Sequence, residues 1–346
     1  MMAASLPVQR PAQAKLLAVD DRGNLRHWQR SRWTALLRPG DLVIANDAAT
    51  LPASLSGMHL ASGRPVEVRL AGRLTLEPAE IRRFVAVVFG AGDFRVRTED
   101  RPLPPPLAAG DRLALGPLSA TVARSLNHPR LVWLEFDGSP DEILEGLARY
   151  GRPIQYSHVA IPLRLWDVWT PFAGMPVAFE PPSAGFALDW RILTSLRELG
   201  VHFATVTHAA GISSTGDPEL DALLPLDEPY FISGPTAEQI CHARRRRDRV
   251  IAVGTTVVRA LESAADPDGR VRSGTGLATG RITGSSRLRV VNAIISGTHE
   301  PGTSHHELLH AFVDDATLRR MDHELNAQGY YTHEFGDSVF IERSRG

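Results

Sequence analysis

The chain carries one cysteine, Cys241, and one lysine, Lys15, in 346 residues. A lone thiol excludes an internal disulfide and every zinc site that needs several thiolates. Cys241 lies beside the run Arg244-Arg245-Arg246-Arg247, and a single thiol in a polar helix is read as incidental. Lys15 sits near the N-terminus, which argues against Schiff-base chemistry and against a P-loop, since both use a well-placed lysine. Long apolar runs are also missing. No stretch reaches the roughly 18 residues a membrane-spanning helix needs. Pro7 and Pro11 interrupt the only apolar stretch near the N-terminus, so no signal-peptide core is present and a cytoplasmic protein is expected. A net charge of −1 provides no global basic field for nucleic acid. Arg244 to Arg249 is the one local candidate patch, and a solvated helix face is the favoured reading of it.

What is present is an ordinary globular composition, 43% hydrophobic and 22% charged, in a length that can bury two cores. Leu42 to Ala45, followed by Asn46-Asp47, reads as a buried strand ending in a polar turn. Gly57 to Leu76 alternates apolar residues at Val66, Val68 and Leu70, the pattern of a half-buried strand. Short strands are expected at Phe84-Val88, Arg112-Leu115, Ala120-Ala123 and Leu131-Phe136, separated by turn residues that include Pro102 to Pro106. Strands at this spacing predict a small β-barrel or sandwich. From Asp141 the pattern turns helical, with Ile143, Leu144 and Leu147 on one face. After Pro171 strands and helices alternate: a helix over Trp190 to Leu199, a strand over Val201 to Thr207, a helix over Ala237 to Arg247, then the Val250 strand. That alternation predicts an α/β domain. The expected division is an α/β core formed by residues 1–55 and 150–346, interrupted by an all-β, barrel-like insertion over 56–149.

The segment from Val250 to Ser263, VIAVGTTVVRALES, is the most informative. It reads as a buried strand, a turn at Gly254-Thr255-Thr256 and a helix. Free N–H groups and the macrodipole at such a helix N-terminus suit a carboxylate or phosphate. Arg259 and Glu262, at i and i+3, are placed to pair or to share a ligand. The plainer alternative is a strand-turn-helix unit capped by Thr255 or Thr256.

A rival motif is His306-Glu307-Leu308-Leu309-His310, a literal H-E-x-x-H. On a helix it would set two imidazoles on one face, with Glu307 as general base for a zinc-bound water. His299 and His305 lie nearby, but no third ligand follows in the expected spacing, Glu324 and Glu334 being only loose candidates, and no metal ligands are assigned. Three further segments could line a pocket. Pro181-Pro182-Ser183-Ala184-Gly185-Phe186 is a rigid turn with a hydroxyl and a glycine. Thr207-His208-Ala209-Ala210-Gly211 follows a strand and ends in small residues. Glu334-Phe335-Gly336-Asp337 precedes a strand expected at Ser338 to Ile341.

In order along the chain these segments resemble the S-adenosylmethionine:tRNA ribosyltransferase-isomerases, the epoxyqueuosine-forming family. Gly40-Asp41-Leu42 with Asn46-Asp47 resembles its N-terminal strand and turn. Leu51-Pro52-Ala53 with Gly57 looks like its crossing into the second domain. Asp167 to Ala173 resembles the segment before its P-T-A-G-L-H motif, which is Pro182-Ser183-Ala184-Gly185-Phe186-Ala187 here. Val253 to Ser263 is nearly the family pattern. His299 and Pro301 fall in its N-F-H-L-P region, and Gly336-Asp337 in its Y-G-D ending. Departures are Ala187, Leu223 and Leu226, where the family has histidines, and Gly297 in place of an asparagine. Glu228 and Tyr230 are retained, and His305-His306-Glu307 replaces an apolar stretch. The chain looks like a divergent branch.

The resemblance implies an α/β core with an inserted barrel. It also implies a transferase and isomerase of queuosine biosynthesis that uses S-adenosylmethionine as a ribosyl donor. The aminomethyl group of 7-aminomethyl-7-deazaguanine in tRNA attacks the activated ribose, and adenine and methionine leave. S-adenosylmethionine is then a co-substrate, with no permanently bound cofactor and no membrane partner. The implied donor-binding residues are Asn46, Ser183, Gly185, Gly254, Thr255, Thr256 and Arg259, with Arg259 on the methionine carboxylate. The implied acid–base residues are Asp47, His208, Glu228 and Asp337, with Asp47 and Asp337 placed first, and His299 as a leaving-group or supporting donor. The alternatives are the same fold and donor with a small-molecule acceptor or donor cleavage only, a metal-dependent hydrolase at His306, Glu307 and His310, and a non-catalytic RNA-binding module.

Overall fold

The computed structural model describes residues 1–344. Its centre is the strand Leu42–Asn46, buried throughout, as the unbroken apolar run requires of a strand covered on both faces. Val250–Val253 and His202–His208 flank it in parallel, with Ile44 opposite Ala252 and Ala204. Beyond Val250–Val253 the sheet continues through Ala293–Gly297, Ser338–Glu342, Lys15–Val19 and Leu25–Gln29. Beyond His202–His208 it continues through Glu228–Ile232 and Gly274–Ala278, giving nine strands of mixed direction.

Alternation along the central strands supplies two cores. Leu42, Ile44, Val250, Ala252 and Ile294 face the helices Gly234–Arg246, Thr255–Ala264 and Asp315–Ala327, meeting Ile240, Val257, Leu261, Leu318 and Met321. Val43, Ala45, Ile251, Val253 and Ile295 face the other way, onto Trp33, Leu188 and, in the helix Trp190–Glu198, Leu196. The period of two thus sets which helix covers which face.

A second core lies inside a closed antiparallel barrel of six strands, in the order Leu118–Ser125, Leu131–Phe136, Arg83–Phe89, Arg64–Gly72, Ser54–His59 and Arg112–Leu115. Val66, Val68 and Leu70 point inward with Phe84, Val122, Leu134 and Phe136. Closure removes every edge that could pair with another chain. It depends on Gly57, where an added Cβ would stand 2.0 Å from the Ala114 carbonyl oxygen. The helix Pro140–Tyr150 follows, opened by a capping box in which Ser139 and Glu142 satisfy each other's backbone amides. Ile143 and Leu147 seat it on the barrel.

One expected strand is a hairpin. Within Gly57 to Leu76, the chain reverses between Ser54–His59 and Arg64–Gly72, with Gly63 left-handed at φ 66°. The helix expected from Ala237 begins three residues earlier, at Gly234, because Ser233 caps it by accepting from the Thr236 amide.

Candidate active site

A cleft opens at the carboxyl ends of Val250–Val253 and Ala293–Gly297, where open α/β sheets bind ligands. Its floor is the turn into the helix Thr255–Ala264. Gly254 holds φ 94°, a conformation that a side chain adopts only with strain, and its N–H donates to the Ile295 carbonyl at 2.8 Å. An added Cβ would lie 3.1 Å from that of Ala184, on the facing turn. No side chain caps this helix, so its first amides and positive dipole end face the cleft beside Thr255 and Thr256. Gly254→Ala is expected to lower stability by about 1–3 kcal/mol, because φ 94° with ψ 158° is a conformation that essentially only glycine adopts. Urea unfolding of the variant checks it.

Behind the floor lies a buried charged cluster. Glu228 accepts a hydrogen bond from the Gly211 amide at 2.6 Å and is ion-paired with Arg259. His208, fully buried, brings Nε2 to 3.2 Å from the same carboxylate, off the line of a hydrogen bond. Burial pushes the Glu228 carboxyl up, but the Arg259 charge, His208 and the Gly211 amide outweigh it and hold it at about 2. Arg259 also donates to the Leu226, Ala278 and Gly280 carbonyls at 3.2–3.3 Å. Arg259 therefore reaches the cleft wall with its terminal nitrogens already engaged. The expected pairing of Arg259 with Glu262 is corrected: Glu262 accepts from the amides of Arg289, Val290 and Val291.

The opposite wall carries groups of a different kind. Glu180, next to the Pro181-Pro182 turn, accepts from the Tyr156 hydroxyl and from the Ser213 amide at 3.0 Å. Burial raises its pKa, the Ser213 and Tyr156 hydrogen bonds oppose that, and the charge of Glu334 adds to it, leaving it at about 7. His299 lines the cleft with its Nε2 3.0 Å from Ser296 Oγ. Burial, with the nearby His305, His306 and His333, holds its pKa well below the usual histidine value. His305 lies edge-on to His299, ring centroids 4.7 Å apart, and burial lowers its pKa too, against the pull of Glu228. This wall thus presents neutral imidazoles and a carboxyl poised near neutrality.

Of the residues expected at the site, Ser183, Gly254, Thr255, Thr256, Glu228, Arg259 and His299 line the cleft. His208 and Asn46 lie beneath it. Asn46 accepts from the Ala48 and His208 amides and donates to the His208 carbonyl at 2.9 Å, which ties two strand ends together. Gly185 packs against Thr170, 2.8 Å from where its Cβ would stand. Asp47 accepts from Thr207 Oγ1 at 2.6 Å. Asp337 accepts from the Lys15 and Tyr331 amides at 2.6 and 2.9 Å, joining the strand Lys15–Val19 to the Tyr331 segment. Neither Asp47 nor Asp337 belongs to the cleft lining. The positions where the family motif has histidines, Ala187, Leu223 and Leu226, also lie outside that lining.

In the H-E-x-x-H segment, His306 is buried with Nε2 3.0–3.1 Å from both Asp322 oxygens, while His310 Nδ1 lies 2.8 Å from Asp315 Oδ1. The helix Ser304–Leu309 ends before His310, so the two imidazoles take different carboxylates instead of sharing one ligand. Glu180 is the group that sequence reasoning missed. Its only signal was an acidic residue directly before a rigid double-proline turn.

A mixed α/β sheet with a polar cleft at its strand ends, joined to a closed barrel, defines a two-part α/β enzyme. The chain belongs to the queuosine biosynthesis protein family, whose model matches residues 1–341. It is 32% identical to an S-adenosylmethionine:tRNA ribosyltransferase-isomerase of Gloeobacter violaceus, over 98% of this chain and 92% of that protein. Against the enzyme of the same name from Ralstonia nicotianae the identity is 32%, over 89% of this chain and 82% of that protein. The fold is similar to the crystal structure of S-adenosylmethionine tRNA ribosyltransferase from Thermotoga maritima, with a TM-score of 0.52 and 21% identity. That alignment covers 98% of this chain and 96% of the other.

Proposed function

We propose that the chain is an S-adenosylmethionine:tRNA ribosyltransferase-isomerase. It transfers and isomerises the ribosyl group of S-adenosylmethionine onto 7-aminomethyl-7-deazaguanine in tRNA, releasing adenine and methionine. The observation that carries the reading is the uncapped helix N-terminus at Gly254-Thr255-Thr256, facing a wall of poised acid–base groups in a chain that matches the family from end to end. In this reading the methionine carboxylate sits on the amides of Thr255 and Thr256. Ser183 and the small Ala184 form the facing turn. Arg259 acts from behind by fixing Glu228, and Asn46, Asp47, Gly185, His208 and Asp337 hold the strand ends and turns in place.

The sulfonium acidifies the ribose 5′ position, so the reaction needs a base beside it. Glu180 is the carboxyl in the cleft with a pKa near neutrality, and it is the base in this reading. His299, held neutral, donates toward the departing adenine. The division into a core of residues 1–55 and 150–346 and an insertion over 56–149 belongs to the same reading and is supported by the closed barrel, whose first strand, Ser54–His59, begins two residues before the insertion boundary. So does the cytoplasmic setting; among the described residues no helix is long and apolar enough to cross a membrane.

Because a ligand that binds only the native state stabilises it by mass action, S-adenosylmethionine at 100 times its Kd is expected to add about 2.7 kcal/mol and to raise Tm. Absence of any shift at millimolar donor, in a folded and monodisperse sample, would remove the donor assignment.

A further inference from the structure

Histidines far apart in sequence meet on one wall beside the cleft. His158 stacks on His333, with ring centroids 4.3 Å apart and planes inclined by 25°. Tyr156 lies parallel to His158 at 6.1 Å, and its hydroxyl donates to Glu180. Glu334, 176 residues from His158, brings Oε2 to 3.3 Å from His158 Nε2. One donor atom each from His158, His333 and Glu334 lies within 4.8 Å of the other two, and no other such trio of His, Cys, Asp or Glu occurs among the described residues.

We propose that His158, His333 and Glu334 form a binding site for a divalent ion of the zinc class. Two imidazoles and one carboxylate are a donor set that suits Zn²⁺, and three protein ligands leave a fourth position open. Glu300, with Oε1 3.8 Å from His333 Nε2, stands where it can fill that position or orient the imidazole. Zinc–nitrogen bonds of about 2.0–2.1 Å require the donors to draw closer than they stand here. The side chains have the freedom to do so, being 17% exposed at His158, 23% at Glu334 and 39% at His333. That same exposure gives the ion a path in from solvent.

The site lies apart from the H-E-x-x-H sequence motif, whose two histidines are held by Asp322 and Asp315. It also departs from the sequence reading, which assigned no metal ligands. No local spacing could reveal it, because its ligands come from segments that only the fold brings together.

The test is titration of chelator-treated, full-length protein with Zn²⁺ in a calorimeter and with Co²⁺ in a visible spectrometer. One equivalent of each is expected to bind, with cobalt bands in the visible. Glu334→Gln and His333→Asn are expected to weaken zinc by at least about 10-fold, since losing a ligand costs at least what losing a supporting partner does. Asparagine is chosen because it tolerates the left-handed backbone at His333, φ 69°. A His306→Ala/His310→Ala double variant is expected to bind zinc as the wild type does. Wild-type protein that takes up no ion at micromolar concentrations overturns the proposal. So does a His158→Ala/His333→Asn variant that binds undiminished, or loss of binding in a His306→Ala/His310→Ala variant whose circular dichroism is unchanged.

Discussion

Replacing Arg259 with alanine is expected to destabilise the protein by about 3–5 kcal/mol, because it leaves the Glu228 carboxylate buried without its counter-charge. Of the two partners, Glu228 makes the second contact that matters, holding the Gly211 amide where the strand leaves the sheet toward the cleft. Arg259→Ala/Glu228→Gln is therefore expected to recover part of the loss, since it removes the orphaned charge and keeps an acceptor for that amide. Urea unfolding of both variants and the wild type reads the difference. Equal stability of Arg259→Ala and wild type would mean that the pair is not formed.

The same pair sets a pH dependence. The folded pKa of Glu228, about 2, lies below its ordinary value of 4.5, so the folded state binds the proton less tightly than the unfolded one. Its contribution to stability is complete above about pH 4.5 and is lost as the pH falls from there toward 2. Acid unfolding of Glu228→Gln is expected to be less steep through that window.

Glu180→Gln is expected to lower kcat by about 10²–10⁴-fold while S-adenosylmethionine still binds, since a general base contributes on that scale. In the wild type, kcat/KM is expected to rise with pH through about 7, as the carboxyl loses its proton and becomes able to accept one. Glutamine cannot titrate, so the variant's residual activity is expected to lack that step. Tyr156→Phe removes the hydroxyl that donates to the carboxylate and is expected to move the step to higher pH. A Glu180→Gln enzyme with wild-type kcat and an unchanged pH profile would assign the base elsewhere in the cleft.

The middle of the central sheet was legible because its two central strands form nearly unbroken apolar runs. Leu42–Asn46 and Val250–Val253 needed no tertiary information to be read, and Arg112–Leu115 and Leu131–Phe136 were bounded by their turn residues. The strand Gly274–Ala278 was not legible. Its sequence, GTGLA, has low strand propensity, and it forms because Glu228–Ile232 offers it a pairing edge. The family resemblance carried Gly254, Thr256 and His299 to the cleft, since backbone turns and their flanks persist in order along a chain. It could not tell which polar residues face the ligand and which bind backbone. Asp337 is the clearest instance, an acid in a recognisable motif whose two oxygens are both taken by main-chain amides. Arg259 is the converse, a cleft residue whose charge is answered from inside the protein.

The measurement that tests the central claim most directly is incubation of the purified protein with S-adenosylmethionine, with and without tRNA carrying 7-aminomethyl-7-deazaguanine. Adenine, methionine and the mass of the modified nucleoside are followed together. The account predicts adenine and methionine in equal amounts, formed only with that tRNA and matched by epoxyqueuosine in it. Adenine and methionine released equally without tRNA, or a tRNA that gains no ribosyl-derived mass while the donor is consumed, would contradict it.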